Sequence, residues 1–416
     1  MVSNVRHPRL QAVAEEDRVT QIELFFDLVF VFAITQVTAL MADDLTARGV
    51  LRGLLVLSLL WWCWVGYAWL GNVVRADEGL GRVTMFAGMA AMFVMALSVP
   101  EAFVDNPEGG LSGPVVFAFA YLAVRLLHLA IFWLAAGSNL DSGLQGQLIR
   151  FAPSVLGSTA LLLVASQLEG RAQTLTWVAV IVVDLGGTLL AGASGWRLNS
   201  AAHFAERHGL IIIIALGESI VAIGQGVARE PISWPVIAAS VLGLTVAGCL
   251  WWAYFDVISL IAERVLRRAQ GEARTRLARD AYSYWHLPMI AGIVLLALGL
   301  KKVLEYVSDS SHHTLSEALD PLPLAALYGG VALFLLGHVA FTYRVEHLVK
   351  VQRVVTAVVV LALIPLAAQI PALAALTLVA VILVALIALE SVWFRDSRER
   401  IRHEEDDAIS HLQHGG

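Results

Sequence analysis

Apolar residues fall in long runs rather than in strict alternation or one-sided stripes. A helix needs roughly 17–25 mostly apolar residues to cross a bilayer. By that rule the chain predicts twelve spans, at about 22–42, 51–71, 83–103, 114–136, 148–167, 174–196, 208–228, 235–260, 283–304, 322–344, 351–369 and 371–393. The last two meet around Gln369, Ile370 and Pro371, which leaves a tight hairpin or one broken helix open. The expected fold is an all-α polytopic membrane protein.

Composition agrees. Of 416 residues, 58% are hydrophobic and 15% charged, against about 45–50% and 25% in soluble domains. Mean hydropathy is +0.74. The net charge of -6 says little, because charge in such a chain gathers in loops. Cys63 and Cys249 both lie in apolar runs, so neither a disulfide framework nor a cysteine metal site is expected. The first eighteen residues lack an apolar core, so no cleavable signal peptide is expected.

Loop charges predict orientation. Arginine and lysine gather in the N-terminal tail 1–20, after spans two and eight, after span ten (Arg344, Lys350 and Arg353), and in the polar tail 395–416. The alternate loops hold few. The positive-inside rule then puts both termini and the even-numbered loops in the cytoplasm.

Internal similarity divides the spans into two parallel sets of six, 21–200 and 201–394. LLWWCWVGYAWL (59–70) matches CLWWAYFDVISL (249–260), and His128 of span four matches His338 of span ten. Span one aligns without gaps to span seven, pairing Glu23 with Glu206, Asp27 with Leu210 and Thr35 with Glu218. Outside the spans, 261–281 (IAERVLRRAQGEARTRLARDA) carries six arginines in helix-forming composition. It reads either as a helix on anionic lipid headgroups or as a solvated loop helix.

Charges inside apolar runs are the candidate chemistry, because a carboxylate at mid-bilayer costs on the order of 2.5–3.5 kcal/mol on insertion scales. Residues 21–37 (QIELFFDLVFVFAITQV) hold Glu23 and Asp27, four apart on one helical face. Glu23 could simply cap the helix start, but Asp27 lies a turn deeper. Residues 203–224 (HFAERHGLIIIIALGESIVAIG) carry Glu206, Arg207 and His208 at the start and Glu218 deep inside. The first three read as a boundary cluster that could pair internally or reach Glu23 and Asp27. Glu218 lies roughly 15–18 Å into its span, at 1.5 Å per residue, and is a candidate proton or cation site or a neutral hydrogen-bonded acid. Arg125 and His128 share a face of span four, and Arg125 must find a carboxylate such as Asp27, Asp184 or Glu218. The tryptophans of span two lie too deep for an interfacial belt and suggest packing or an aromatic-lined cavity.

The two charged helices carry a family resemblance. ELFFDLVFVFA (23–33) together with HFAERHGLIIIIALGESI (203–220) resembles the bacterial low temperature requirement A family, and the multi-span layout extends the resemblance over essentially the whole chain. The resemblance implies an integral membrane protein linked to growth in the cold, with no defined reaction, substrate or catalytic residues.

Three functions fit. A secondary transporter or permease would use buried carboxylates for proton or cation coupling, on a small ion or small-molecule substrate. Asp27 and Glu218 would then act as an asymmetric pair with Arg125 between them. A membrane-embedded enzyme on a lipid-soluble substrate and a sensor or scaffold are the alternatives. No nucleotide loop, hydrolase elbow or CxxC pair stands in a suitable context, so no cofactor, metal or nucleic-acid partner is expected.

Overall fold

The computed structural model describes residues 13–15, 17–106, 110–138, 142–227 and 230–393. The polar tail 395–416 lies outside the described residues, as does most of the N-terminal tail. All regular structure among the described residues is helical, and eleven helical stretches are long and apolar enough to cross a membrane.

The helices are α1 (Gln21–Asp43), α2 (Ala47–Val73), α3 (Gly79–Leu97), α4 (Gly113–Ser138), α5 (Ser142–Ala165), α6 (Gly170–Ala191), α7 (Ala201–Gly226), α8 (Trp234–Phe255), α9 (Ile258–Arg268), α10 (Gly271–Leu277), α11 (His286–Ser308), α12 (Pro321–Glu346), α13 (Val351–Ala362), α14 (Ile364–Ala367) and α15 (Ala372–Trp393). Their ends follow local chemistry. Thr20 and Glu23 form a capping box at α1. Thr46 and Ser233 accept the first free amides of α2 and α8. Gly192, at φ 77°, ends α6 in a conformation that a side chain would strain.

Two expectations change. The eleventh span, 351–369, holds a helix of only 12 residues, because the chain breaks after Ala362 and restarts at a turn containing Pro365. Span seven begins at Ala201 rather than near 208, so His203 and Arg207 lie inside the helix and not at its mouth. The apolar run starts at Leu210, but capping and packing extend the helix two turns before it.

The chain forms two compact units. One comprises Met1–Glu218 with Val265–Val294, the other Ser219–Arg264 with Leu295–Gly416. In the first, α1 packs on α2 and α3, α4 on α3 and α5, and α5 on α6. Helix α2 is buried along nearly all its length, and Trp61 and Trp64 stack near its middle with centroids 5.0 Å apart. In the second unit α8 packs on α15, and α13 on α12 and α15. Trp251 and Trp252, the sequence counterparts of Trp61 and Trp62, are exposed.

The segment 261–281 is not one helix. It contains most of α9, all of α10 and the start of a π-helical stretch, Ala278–Tyr284, that leads into α11. Arg274 turns inward onto the carbonyls of Ala269 and Arg267 and onto Glu15. Its hydrogen bond and charge hold the Glu15 carboxyl below its ordinary range.

Candidate functional site

The seam between α1 and α7 carries the most heavily bonded buried charges of the first unit. Arg207 donates to Glu23 Oε1 at 2.9 Å and to Asp27 Oδ1 at 2.7 Å. All three side chains are essentially inaccessible. His203 shares the Arg207 face, one helical turn before it, and its Nε2 lies 3.0 Å from Glu23 Oε2. The Thr20 amide and hydroxyl donate to that same oxygen at 2.9 and 2.8 Å. Glu23 therefore caps α1 and binds α7 at once.

Asn72 of α2 fixes the imidazole. Its Oδ1 accepts the amides of Asn199 and Ser200, which turns Nδ2 toward the Ser200 carbonyl and toward His203 Nδ1, 3.3 Å away. An Nδ1 that accepts from an amide is unprotonated, so the imidazole proton sits on Nε2 and faces Glu23. Gly71, also on α2, lets this happen. A Cβ there would collide with Glu23 Oε1 and lie 3.5 Å from Arg207.

Asp27 is bonded less completely. Its Oδ1 accepts from Arg207 and from Trp64 Nε1, the latter at 2.8 Å. Its Oδ2 is buried and has no hydrogen-bond partner among the described residues. Glu23 thus receives four donors on two oxygens, and Asp27 two donors on one. The charges do not balance, because two carboxylates face one guanidinium.

Further along the seam Thr35 donates to Glu218 Oε2 at 2.6 Å. The α1–α7 contacts at Glu23–Arg207 and Thr35–Glu218 have sequence separations of 184 and 183. Nearly constant separation means that the two helices run parallel. Asp27 and Thr35 are eight residues apart on α1, so Asp27 and Glu218 lie about 12 Å apart along the seam at 1.5 Å per residue.

The remaining candidates sit elsewhere. Arg125 pairs with Asp184 at 2.9 Å, and Tyr121 donates to the other Asp184 oxygen at 2.7 Å. Arg125 therefore does not stand between Asp27 and Glu218, and the counter-charge on the seam is Arg207. Glu206 points away from the cluster, partly exposed, toward Arg18 at 3.9 Å and the Val19 amide at 3.4 Å. His208 also misses the carboxylates. Its Nδ1 donates to the Phe204 carbonyl at 2.9 Å, and its ring packs against Trp64, Tyr282 and His286. His128 lies beside Arg125 against Phe132.

The sequence leaves the Arg207 cluster open between internal pairing at the boundary and a reach to Glu23 and Asp27, and it gives His203 and Asn72 no role at the carboxylates. The i,i+4 spacing of His203 and Arg207 and the lone amide in the apolar run of α2 were the available signals. It also counted Arg353 as a loop charge, whereas Arg353 is buried in α13 and bonded to Glu390 of α15 at 2.8 Å.

Eleven apolar helical stretches with ion pairs buried among them define a multi-pass helical membrane protein. Residues 18–388 match the family described as "Bacterial low temperature requirement A protein (LtrA)". The chain belongs to that family. A protein of Rhizobium meliloti (strain 1021), "Uncharacterized protein RA0937", is 28% identical over 312 residues, which cover 72% of this chain and 73% of that one. No solved structure matches significantly.

Proposed function

We propose that the protein is a secondary transporter or permease in which Asp27 takes up and releases a proton, or yields its site to a cation, as substrate moves. The observation that carries this reading is the buried, partnerless Asp27 Oδ2 in a cluster with surplus negative charge. The groups around it are Glu23, Arg207, Trp64 and His203. With His203 neutral, one more proton or cation brings the cluster to neutrality, and a buried uncompensated charge is what a low-dielectric interior disfavours most. Both Glu23 oxygens already accept hydrogen bonds whereas Asp27 Oδ2 accepts none among the described residues, so Asp27 receives that proton. Glu218, further along the same seam, is the second station.

In this reading the chain sits in the bacterial plasma membrane with both termini cytoplasmic and two parallel six-helix repeats. Support for the repeats comes from the parallel run of α1 and α7 and from the Thr35–Glu218 bond, which joins two positions equivalent in the sequence repeat. The exposed Arg267, Arg268 and Arg276 suit anionic headgroups at 261–281.

The test is proton flux in proteoliposomes holding a pH-sensitive dye, under imposed proton, sodium and potassium gradients. Wild type is expected to exceed empty liposomes severalfold. Asp27→Asn, which keeps the acceptor for Arg207 and Trp64, is expected to abolish the excess while remaining folded. Wild type at the level of empty liposomes for all three ions, or unchanged flux in Asp27→Asn, overturns the reading.

A further inference from the structure

The first unit also holds a pocket, partly open to its surroundings, that takes no part in the Asp27 cluster. Its walls are aromatic. Trp62 and Trp69 come from α2, Phe151 from α5, and Trp196 from the turn after α6. Trp196 packs against Trp69 and Phe151 at centroid distances of 5.9 and 6.0 Å, so the rings brace one another.

Two guanidiniums and an imidazole face this space, with the hydroxyls of Thr188, Thr275 and Ser283 beside them. His128 is 3% exposed and lines the cavity; its ring lies against the Gly66 backbone, and neither nitrogen makes a hydrogen bond of ordinary geometry among the described residues. Arg125 lines it too. One of its nitrogens is spent on Asp184, its guanidinium lies over the Phe151 ring at 4.9 Å, and its buried Nε has no partner among the described residues. Arg279 adds a second guanidinium, paired with Asp280 at 2.7 Å. No carboxylate is among the lining residues. A pocket with aromatic walls and a few convergent polar groups has the make-up of a small-molecule site. Buried N–H groups without acceptors are rare because leaving them unmade is costly.

We propose that this cavity binds a small, mainly apolar organic anion, with its flat body between the tryptophans and its carboxylate at His128 and Arg125 Nε. Tryptophan faces also attract cations, but an ammonium here would meet two guanidiniums, whose paired carboxylates, Asp184 and Asp280, are not among the described lining residues. An acceptor-bearing head is what the donors are missing. The inference does not depend on proton traffic at Asp27, and its test measures binding rather than flux.

The probes are 1-naphthoate, its neutral relative 1-naphthylmethanol and its cationic relative 1-naphthylmethylamine. Each is measured by equilibrium dialysis against the full-length protein in nanodiscs, with empty nanodiscs subtracted for lipid partition. Saturable one-site binding of naphthoate is expected, with the alcohol at least tenfold weaker and the amine showing partition only. His128→Phe, which keeps the ring shape and removes the nitrogens, should weaken naphthoate at least tenfold. Ala193→Phe, which puts a ring into the cavity from its wall, should abolish saturation. Both variants are checked for unchanged elution and thermal midpoint. Magnetisation transfer from indole protons to naphthoate in the wild type needs no variant. Absent saturable naphthoate binding, equal or tighter binding of the amine or alcohol, unchanged affinity in a folded Ala193→Phe, or no transfer from indole protons would each overturn the proposal.

Discussion

Arg207 and Arg353 are both buried in apolar helices, one in each unit, and they are bonded in opposite ways. Arg353 meets both oxygens of Glu390, with Nε at 2.9 Å from Oε1 and NH2 at 2.8 Å from Oε2. Its NH1 lies 3.0 Å from the Ala253 carbonyl and 2.8 Å from His338 Nδ1. One cation faces one anion in fork-to-fork geometry, which fixes direction as well as charge. This pair staples α13, too short to hold itself, to α15. Arg207 instead divides its nitrogens between two carboxylates and leaves one oxygen of Asp27 without a partner. A neutral, satisfied pair gains nothing from a proton. A surplus anion does. The same residue type in the same apolar setting therefore serves as a staple in one place and as a protonatable cluster in the other.

The most damaging way to break the contrast is Arg207→Met. It strands two buried carboxylates, and removal of one partner of a buried pair costs about 3–5 kcal/mol. The expected result is a large drop in thermal midpoint and in the yield of monodisperse protein. A midpoint equal to wild type would mean that the cluster is not enclosed as described.

Removing a carboxylate from each region sharpens the contrast. Glu390→Gln deprives Arg353 of its paired charge and should lose stability on the same scale, about 3–5 kcal/mol. Asp27→Asn leaves Glu23 against Arg207 at neutrality, so its thermal midpoint should equal or exceed that of wild type. Equal losses in the two variants would erase the distinction.

Gly71→Ala probes the closeness of the seam without touching a charge. The new methyl meets a Glu23 carboxylate pinned by Thr20, His203 and Arg207, so it cannot swing aside, and overpacking of this kind costs about 1–3 kcal/mol. Gly217→Ala on α7, with nothing within 4 Å of its Cβ position, should show no loss in the same thermal assay.

The smallest expected effect concerns a charge in water. Asp309, in the loop after α11, accepts from the Ser311 hydroxyl and amide and from His312, which pull its carboxyl down from 3.8 to about 2. A depressed acid stabilises the fold above its unfolded pKa and loses that contribution as pH falls through the folded one. The difference in thermal midpoint between wild type and Asp309→Asn should thus be small and flat above pH 5 and should close between about pH 4 and 2. The group lies in a loop outside the apolar helices, so neither ion flux nor the Arg207 cluster should change with it.

Much of the membrane scaffold was legible because apolar run length is a local property. Asp27 and Glu218 were legible as anomalies for the same reason, since a carboxylate inside such a run stands out without any knowledge of neighbours. The partners were not. Arg207, seven residues after Ser200 and four before the isoleucine run that starts at Ile211, reads as a boundary charge until α7 is seen to start at Ala201. Arg353 reads as a loop charge until α13 is seen to place it beside Glu390. Hydropathy averages over a window, so it cannot tell a snorkelling arginine at a helix mouth from a buried one a turn inside.

The sequence by itself determined that this chain is a bundle of membrane-spanning helices and which acidic positions inside them demand explanation, because bilayer thickness and desolvation act on each segment alone. Only the tertiary structure decided which cation answers which anion. Arg125 was free by sequence to serve Asp27, Asp184 or Glu218, and it serves Asp184. Arg207 serves Glu23 and Asp27 across about 180 residues of chain. Pairing is a matter of geometry between helices, and the spacing of charges along one helix carries no record of what the next helix brings.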